Sequence, residues 1–346
     1  AASDVYKRQA RISSVKLDCK NYVSTENMLQ DFQGVVEAKS VPNETNVISF
    51  TCGDILISNI RPYLKKVWKA TFDGGCSSDV FVLQATDTVA KDYLHYAVAN
   101  DKFINYVMSG AKGVKMPRGD KNQMRTYQLS LPSIQEQYKI AKLLTLLDER
   151  IATQSKLIEK LESLIKGIAQ HCIRELINGW EYVRLGNICK ITTGKLDANA
   201  QVENGQYPFF TCAERPFNID CYAFDTEALL ISGNGANLGY INYYKGKFNA
   251  YQRTYVLDHF SVNIQYVKWA LKVLLPQRIA IEKSSSNTPY IVLSTLADLK
   301  IPIPNNSKQN HIADLMMSFE RKLSTQLVLS DLYNKQKQYL LRQMFI

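Results

Sequence analysis

The chain repeats itself, and this repeat constrains the fold more than any other feature of the sequence. A series of residues recurs in the same order 172 positions later: Pro132, Gln137, Ile140, Ala141 and Leu143 return as Pro304, Gln309, Ile312, Ala313 and Leu315. Two upstream runs recur conservatively at a shift of 174: Ile55–Ser58 as Leu229–Ser232, and Phe81–Leu83 as Tyr255–Leu257. Repetition of order and spacing predicts two tandem copies of one module, and 346 residues are enough for two globular units.

The composition is that of a folded protein outside the membrane. Hydrophobic residues make up 46% and charged residues 21% of the chain, as in ordinary globular domains. The longest apolar run, Val267–Leu275, contains two lysines and is too short to cross a bilayer. We set Ala1–Gln9 aside because they resemble translated sequencing adapter and lack the apolar core of a signal peptide. We therefore expect a cytoplasmic protein.

The net charge favours a polyanionic partner. The chain carries a formal charge of +10 with a pI near 9.1, and such an excess attracts nucleic acid. Charge alone leaves a merely basic enzyme as an equal alternative. The seven cysteines form no Cys-x-x-Cys pair, so we expect them to be reduced packing residues without a metal.

Each copy divides into a strand-rich front and a helical back. The fronts, residues 1–131 and 179–303, alternate β-branched or aromatic runs such as Val47–Phe50 with turn residues. One helix is expected in each front, Tyr93–Val107 and Ile264–Ile281. The backs, residues 132–178 and 304–346, read as long helices. The predicted class is therefore α+β, with two mainly-β domains that are each followed by a long helix.

The first long helix has a clear start and one apolar stripe. Ser133 and Glu136 have the spacing of a capping box, and apolar residues then continue at helical spacing to Ile177. Such a helix would be about 65 Å long at 1.5 Å per residue, more than one domain needs. Asn306 and Gln309 are placed to cap the second helix. The two stripes predict that the helices pack together like a coiled coil; the alternative is that each lies across its own front domain.

The sequence resembles the specificity subunit of Type I restriction-modification enzymes over nearly the whole chain after residue 10. The most specific strings are Tyr22–Met28, Gly53–Tyr63 and Gly74–Val80, together with the Pro-x4-Gln-x2-Ile-Ala helix opening that occurs twice. The resemblance implies two target recognition domains, each of which reads one half of a bipartite DNA site across the major groove. It also implies that antiparallel helices set the unread spacer. The amino end departs from the family pattern, so the first strand of the first domain is left open.

The resemblance also implies partners and cofactors. Two methyltransferase subunits would be held by the helices, and restriction or translocase subunits would join through the complex. S-adenosylmethionine, ATP and Mg are expected on those partner subunits, and none is expected on this chain. We assign partner contact to eight apolar residues on the two stripes: Ile140, Leu143, Leu147, Ile151, Ile312, Leu315, Phe319 and Leu323.

No catalytic constellation is recognisable. Asn287–Tyr290 approaches the Asn-Pro-Pro-Tyr motif of amino-methyltransferases but lacks its first proline, and Gly233–Gly239 matches neither a phosphate-binding nor a dinucleotide-binding loop. The four histidines stand far apart, without Glu or Cys at metal-ligand spacing. We therefore expect a chain without catalysis of its own. A hidden hydrolase is disfavoured, whereas a pure interaction scaffold that binds protein or RNA remains an alternative.

DNA contact requires Lys and Arg for phosphates and Arg, Lys, Asn or Gln for base edges. Such residues stand at similar positions of the two copies. In the first copy the candidates are Arg61, Lys65, Lys66, Lys112, Lys115, Arg118, Lys121 and Arg125. In the second copy they are Asn234, Asn237, Gln252, Arg253, Lys283, Ser286, Asn287 and Tyr290. The loops before Pro117 and Pro289 are the strongest candidates because they occupy equivalent points of the repeat.

Overall fold

A computed structural model describes residues 10–175, 179–282 and 290–345. The described residues divide into two compact units. The first contains the chain up to Ser155 together with the residues from Val328 onward, and the second runs from Lys156 to Leu327. Both units combine sheets with helices, which confirms the predicted α+β class. The division between the units falls inside both long helices.

The first unit is built from short strands, three short helices and one part of each long helix. Its strands are β1 Arg11–Ser13, β2 Tyr22–Val23, β3 Asn46–Phe50, β4 Ile55–Ser58, β5 Val67–Lys69, β6 Gly74–Cys76 and β7 Val80–Leu83. Its helices are α1 Lys91–Val98, α2 Asp101–Ser109, α3 Lys121–Arg125 and the start of α4 Ile134–Gln170. The strands form two sheets in the orders β1-β3-β6-β2 and β5-β4-β7. β4 lies at the centre of its sheet, and all four of its residues are buried.

The predicted helix Tyr93–Val107 is two helices, and Asn100 explains why. The Asn100 Oδ1 atom accepts a hydrogen bond from the Phe103 amide at 3.0 Å, which caps α2. The Asn100 Nδ2 atom donates to the carbonyls of Tyr96 and Ala97 at the end of α1. One buried amide therefore ends one helix and begins the next.

The second unit has longer strands. They are β8 Glu181–Arg184, β9 Lys190–Thr193, β10 Tyr207–Phe210, β11 Phe217–Ile219, β12 Phe224–Ser232, β13 Ile241–Ala250, β14 Thr254–Asp258 and β15 Lys300–Ile303. Its helices are α5 Ile264–Glu282, α6 Leu293–Ala297 and the start of α7 Asn306–Met344. The sheet order is β11-β10-β13-β12-β14-β9, and β15 pairs with β8 separately. The prediction of a helix over 264–281 is confirmed.

The two units repeat the same strand pairings. β4 pairs antiparallel with β5 and β7, as β12 does with β13 and β14. β12 is one long strand, whereas the first unit has the same path broken into β3 and β4. The break occurs at a turn in which Gly53 has φ +90° and the Asp54 carboxylate accepts a hydrogen bond from the Thr51 amide at 2.8 Å. Glycine adopts such a φ without steric cost.

The starts of the two long helices are capped. Ser133 and Glu136 form the predicted capping box, with the Glu136 carboxylate 3.1 Å from the Ser133 amide. In the second copy the prediction was wrong in one detail. Asn305, not Asn306, caps α7 by accepting a hydrogen bond from the Lys308 amide at 3.0 Å. The prediction that the first helix reaches Ile177 falls outside the described residues; α4 ends at Gln170 and is followed by a π-helical turn over His171–Glu175.

The repeated glutamines fasten each long helix to its own domain. The Gln137 side chain is 1% exposed, accepts a hydrogen bond from the Ala90 amide at 2.8 Å and donates to the Pro132 carbonyl at 3.0 Å. The equivalent Gln309 accepts from the Asn263 amide at 3.0 Å and donates to the Pro304 carbonyl at 2.8 Å. Each glutamine thus joins the first turn of a long helix to the residue that precedes α1 or α5.

A second repeated contact lies three turns further along. Asp148 accepts a hydrogen bond from the Tyr96 hydroxyl of α1 at 2.8 Å. Its counterpart Glu320 contacts Lys268 of α5 at 2.6 Å and Lys272 at 3.1 Å. Tyr96 and Lys268 are related by the same shift as Asp148 and Glu320. Both partners of the contact are therefore repeated, although the chemistry changes from a hydroxyl to an ammonium group.

The long helices run antiparallel within each unit and also cover the domains. In the first unit Asp148 and Lys337 are 2.5 Å apart, and Phe345 shares the core with Leu144 near the start of α4. In the second unit Leu161 of α4 shares the core with Met316 of α7. The helices therefore pack on each other, as expected, and at the same time on the strand-rich domains, which was the alternative.

Candidate nucleic-acid interface

The predicted reading loops lie at equivalent strand ends. In the first unit Ser58 of β4 pairs with Val80 of β7, and in the second unit Ser232 of β12 pairs with Thr254 of β14. Because these strands are antiparallel, the loop that leaves the first strand and the loop that enters the second lie at the same edge of the sheet. The repeat thus presents two related loop sites.

In the first unit backbone hydrogen bonds join three segments into one surface, which we call the first loop cluster: residues 59–66, 77–79 and 112–120. The Arg61 amide donates to the Pro117 carbonyl at 2.8 Å, and the Asn59 amide donates to the Asp79 carbonyl at 2.8 Å. The Gly119 amide donates to the Asn59 carbonyl at 3.0 Å. Residues far apart in sequence are therefore held in fixed positions.

Residues 112–118 form a small hairpin at the edge of this cluster. Lys112 and Arg118 exchange two backbone hydrogen bonds of 2.9 Å each, and Arg118 also pairs with Ile60 beyond β4. Gly113 has φ +94°, a value that favours glycine at the turn. Pro117 is buried, so the base of the hairpin is fixed while its tip stands in solvent.

Most cations of the first cluster already have acidic or polar neighbours. Lys65 lies 2.7 Å from Asp101 and Lys112 lies 3.5 Å from Asp120, while the Arg118 guanidinium is 3.7 Å from Asp79. These pairs are partly or largely exposed, and exposed pairs contribute little stability. Such side chains can exchange their present neighbours for a phosphate or a base at small cost. Lys115 is exposed and has no ion pair with any described residue.

Arg61 and Lys66 form a more enclosed positive site. Arg61 has φ +52°, and within the described chain its buried Nε atom has no hydrogen-bond acceptor. Lys66 donates to the Thr25 carbonyl at 2.6 Å. Burial and then the Arg61 charge lower the pKa of Lys66, while Glu26 opposes the change. The Arg61 charge disfavours the charge of Lys66, so an anion bound beside the two cations would be stabilised.

Lys121 and Arg125 are brought near the cluster on helix α3. Asp120 begins this helix by accepting hydrogen bonds from the Asn122 and Gln123 amides, which lower the pKa of its carboxyl group. The Lys121 ammonium lies 5.7 Å from the centre of the Phe81 ring. α3 begins directly after the hairpin of residues 112–118. Its two basic residues therefore extend the positive surface of the first loop cluster.

The second unit has a corresponding second loop cluster: residues 211–213, 233–239, 251–253 and 290–292. The Gly233 amide donates to the Arg253 carbonyl at 2.8 Å, and the Ile291 amide donates to the Gly233 carbonyl at 2.8 Å. The Tyr255 hydroxyl donates to the Ile291 carbonyl at 2.9 Å. Segments that are distant in sequence thus meet at one strand end.

The side chains of the second cluster divide into two groups. Asn234 accepts a hydrogen bond from the Cys212 thiol at 3.0 Å, and Asn237 donates to the Cys212 carbonyl at 3.0 Å; both therefore shape the loop. Gln252 and Arg253 are exposed, and Tyr290 is 56% exposed. The remaining candidates Lys283, Ser286 and Asn287 lie outside the described residues.

Sequence reasoning missed the apolar side chains of these surfaces. Tyr63, Val114 and Met116 stand exposed in the first cluster, and Tyr240 stands exposed beside the second. The spacing of Gly113 and Pro117 signals a tight hairpin, and that signal could have directed attention to the residues between them. Cys212 carried no sequence signal, because its role depends on two asparagines of another loop.

The predicted partner-binding residues are divided between core and surface. Ile312 is buried in the core of the second unit, and Phe319 and Leu323 pack against it. Ile140 packs against the core of the first unit. Leu147, Ile151 and Leu315 are half-buried, and Leu143 is 46% exposed. Of the eight, Leu143 is therefore the residue most available to another subunit.

Two negative findings concern the described part of the chain. No three His, Cys, Asp or Glu side chains there lie close enough together to hold a metal ion. No described helix combines the length and the hydropathy needed to cross a bilayer.

Comparison with proteins of known sequence places the chain among specificity subunits. The Type I restriction enzyme EcoDI specificity subunit of Escherichia coli is 44% identical over 135 residues, which are 39% of this chain and 30% of that protein. The MjaIX specificity subunit of Methanocaldococcus jannaschii is 23% identical over 257 residues, 63% of this chain and 60% of that protein. The chain thus spans less than two thirds of the length of either relative.

Solved structures share the fold. The S subunit of a Type I restriction-modification system from M. genitalium has a TM-score of 0.67 at 17% identity, with 98% of this chain and 96% of that chain covered. A chain from a study of assembly and conformational transition in the type I R-M system has a TM-score of 0.63 at 19% identity, with 99% of this chain and 95% of that chain covered. The family model for the Type I restriction modification DNA specificity domain matches residues 11–163 and again residues 177–328. Both halves of the internal repeat are thus accounted for, and the chain belongs to the family of Type I restriction-modification DNA specificity domains and carries two of them.

Proposed function

We propose that this chain is the DNA-reading subunit of a Type I restriction-modification complex, and that each unit reads one half of a bipartite site. The observation that carries the proposal is the equivalence of the two loop clusters. Both lie at the edge where the strand pair β4–β7 or β12–β14 ends, and both present Lys, Arg, Asn or Gln side chains. Two copies of one reading surface suit a target with two separated halves.

The first loop cluster has the chemistry for phosphates and for guanine. Lys115 is an exposed point charge without an ion pair in the described chain, as a phosphate contact requires. The enclosed pair Arg61 and Lys66 would accept a second phosphate. Arg118 can leave Asp79, since that contact of 3.7 Å is partly exposed. Its planar guanidinium can then donate two hydrogen bonds to the O6 and N7 atoms of guanine.

The second loop cluster is richer in amides. Gln252 is exposed next to Arg253 in the turn before β14. A glutamine amide can both donate to and accept from the edge of adenine in the major groove. Asn234 and Asn237 hold the neighbouring loop in place through Cys212, so we assign them a positioning role. The two half-sites would therefore be read by different chemistry.

The long helices offer a surface for methyltransferase subunits. Leu157 and Leu164 of α4, which both belong to the second unit, are 45% and 51% exposed; Leu164 follows Leu157 by one heptad. Residues at whole heptad intervals lie on one side of a helix, so these leucines form an apolar row. We propose that this row docks a methyltransferase, that this chain carries no catalytic group, and that S-adenosylmethionine, ATP and Mg belong to the partner subunits. This role places the chain in the cytoplasm, where its DNA target lies.

Two experiments test the proposal at increasing resolution. The full chain is first expressed with its methyltransferase, and the methylated positions of the host DNA are sequenced. We expect a bipartite motif with an unread spacer. Exchange of residues 179–303 for the corresponding segment of another family member should then change one half of the motif and leave the other half intact. A change in both halves together would contradict independent reading by the two units.

A salt titration of duplex binding separates the roles of single residues. Lys115→Ala should weaken specific and scrambled duplexes alike and reduce the salt dependence by about one counterion. Arg118→Ala should cost about 1–3 kcal/mol on the specific duplex only. Lys139→Ala is the matched control, because Lys139 is exposed on α4 outside the loop cluster. Equal binding of RNA and DNA by the full chain would favour an interaction scaffold instead.

The docking surface is tested by replacing Leu157 and Leu164 together with lysine. Both side chains are half-exposed, so the melting temperature should change little, whereas co-purification with the methyltransferase should be lost. Retained co-purification would show that the partner binds elsewhere on the chain.

A further inference from the structure

Val114 at the tip of the hairpin of residues 112–118 is the most exposed large apolar side chain of the described residues. Its exposure is 102%, compared with 73% for Val15 and 71% for Ile281. Met116, two residues further on, is 50% exposed. A single exposed valine is common on protein surfaces, so exposure alone does not assign a role.

The setting of this valine does distinguish it. The hairpin cannot fold the valine back into the core, because its base is fixed by the two Lys112–Arg118 hydrogen bonds and by the bond from Arg61 to Pro117. Lys112 and Arg118 at its base and Lys115 next to the valine give the hairpin three positive charges. A surface that fits this tip must therefore be anionic at its rim and offer an apolar contact at its centre.

The major groove of duplex DNA has that combination. Phosphates line its two edges, and the C5-methyl group of thymine is the apolar feature among its base edges. The groove is about 12 Å wide and admits a two-stranded ribbon, whereas the minor groove, at about 6 Å, is too narrow for one. The 112–118 hairpin, which is closed by the two backbone hydrogen bonds between Lys112 and Arg118, is two backbone segments wide, as such a ribbon is.

We propose that Val114 is a specificity-determining residue that contacts the C5-methyl group of one thymine in the half-site read by the first unit. This inference rests on the proposed function and names one further base that the first unit recognises. The basic residues of the hairpin bind phosphate or guanine, and the valine selects thymine. Burial of one methyl group is worth about 0.8 kcal/mol, which corresponds to about a fourfold change in affinity. Uracil lacks only that methyl group, so it isolates the contact.

The test uses the full chain and duplexes that carry its methylated motif. Each thymine of the motif is replaced in turn by uracil, and dissociation constants are measured for the native chain, Val114→Ser and Val15→Ser. We expect the native chain to bind one uracil duplex about fourfold more weakly. Val114→Ser should bind the thymine and uracil forms of that position equally. Val15→Ser is the matched control, a similarly exposed valine outside the hairpin, and it should discriminate like the native chain.

The outcomes are distinct. The inference is overturned if the native chain binds its motif specifically but no uracil substitution weakens this binding. It is also overturned if the Val114→Ser chain still distinguishes thymine from uracil. Loss of discrimination must occur with an unchanged melting temperature, as expected for a fully exposed side chain. Absence of any sequence-specific binding by the native chain would instead refute the proposed function, and this inference with it.

Discussion

Replacement of Gln137 by methionine should destabilise the first unit far more than any exposed substitution on the same helix. Methionine has nearly the length of glutamine and fills the same space, so the change removes hydrogen bonds without opening a large cavity. Gln137 is 1% exposed and bonds to the Ala90 amide at 2.8 Å, the Pro132 carbonyl at 3.0 Å and the Thr88 carbonyl at 3.1 Å.

The expected cost follows from the groups left behind. The Ala90 amide would lose its acceptor inside the protein, and a buried unsatisfied donor costs about 1–3 kcal/mol. Two carbonyls would lose a donor each, and each is worth about a further 0.5–1 kcal/mol. The free energy of unfolding of the first unit should therefore fall by about 2–5 kcal/mol.

Urea denaturation followed by circular dichroism measures this loss, and hydrogen exchange at the start of α4 locates it. Gln135→Met is the matched control, because Gln135 lies in the same turn of the helix and is exposed. It should change stability by less than about 0.5 kcal/mol. If Gln137→Met cost no more than Gln135→Met, the glutamine would not be what fastens the helix to the domain.

Further outcomes are expected in acid, at a buried ion pair and in the length of the helices. Burial lowers the pKa of His95 to about 4, so below about pH 6.5 the unfolded chain binds a proton at this histidine that the folded chain does not bind. The free energy of unfolding should therefore fall between pH 6.5 and 4, by at most about 3 kcal/mol. His95→Gln should make the free energy of unfolding less dependent on pH in this range. Glu320→Gln removes the carboxylate beside Lys268, which is only 6% exposed, and should lower the free energy of unfolding by about 3–5 kcal/mol. The double variant Lys268→Met with Glu320→Leu should recover most of this loss, as measured by urea titration. Insertion of one helical turn after Lys156 and another after Leu327 should lengthen the methylated motif's spacer by about one or two base pairs, since a turn adds about 5.4 Å; an unchanged spacer would show that the helices do not set it.

The sequence predicted what is repeated or local and could not predict what depends on distant partners. The duplicated Gln137 and Gln309 located both helix starts, yet their bonds to the residues before α1 and α5 were invisible because those residues lie far upstream in the chain. The break between α1 and α2 was missed because a single buried Asn100 outweighs the apolar periodicity on either side of it.

The same limit applies to the candidate interface. The repeat placed the loop clusters at equivalent points, and this could be predicted from the offset alone. Which cations are already paired could not, since Lys65 meets Asp101 and Arg118 meets Asp79 only through the fold. The exposed Val114 was overlooked because a valine in a basic segment has no sequence signature of its own.

The two contacts that fasten each long helix also restrict how such proteins can diversify. The spacing from Gln137 to Asp148 equals that from Gln309 to Glu320, and it is close to three full turns, so both contacts face the same side of the helix. A residue gained or lost between them would rotate one contact by about 100° away from its partner. Insertions and deletions that change the length of a long helix can therefore be tolerated only after Asp148 in α4 and after Glu320 in α7. A recombination event whose crossover falls beyond these residues would exchange a domain together with the helix segment that orients it. If the units read DNA as proposed, new specificities could arise in this way without disturbing the orientation of either unit.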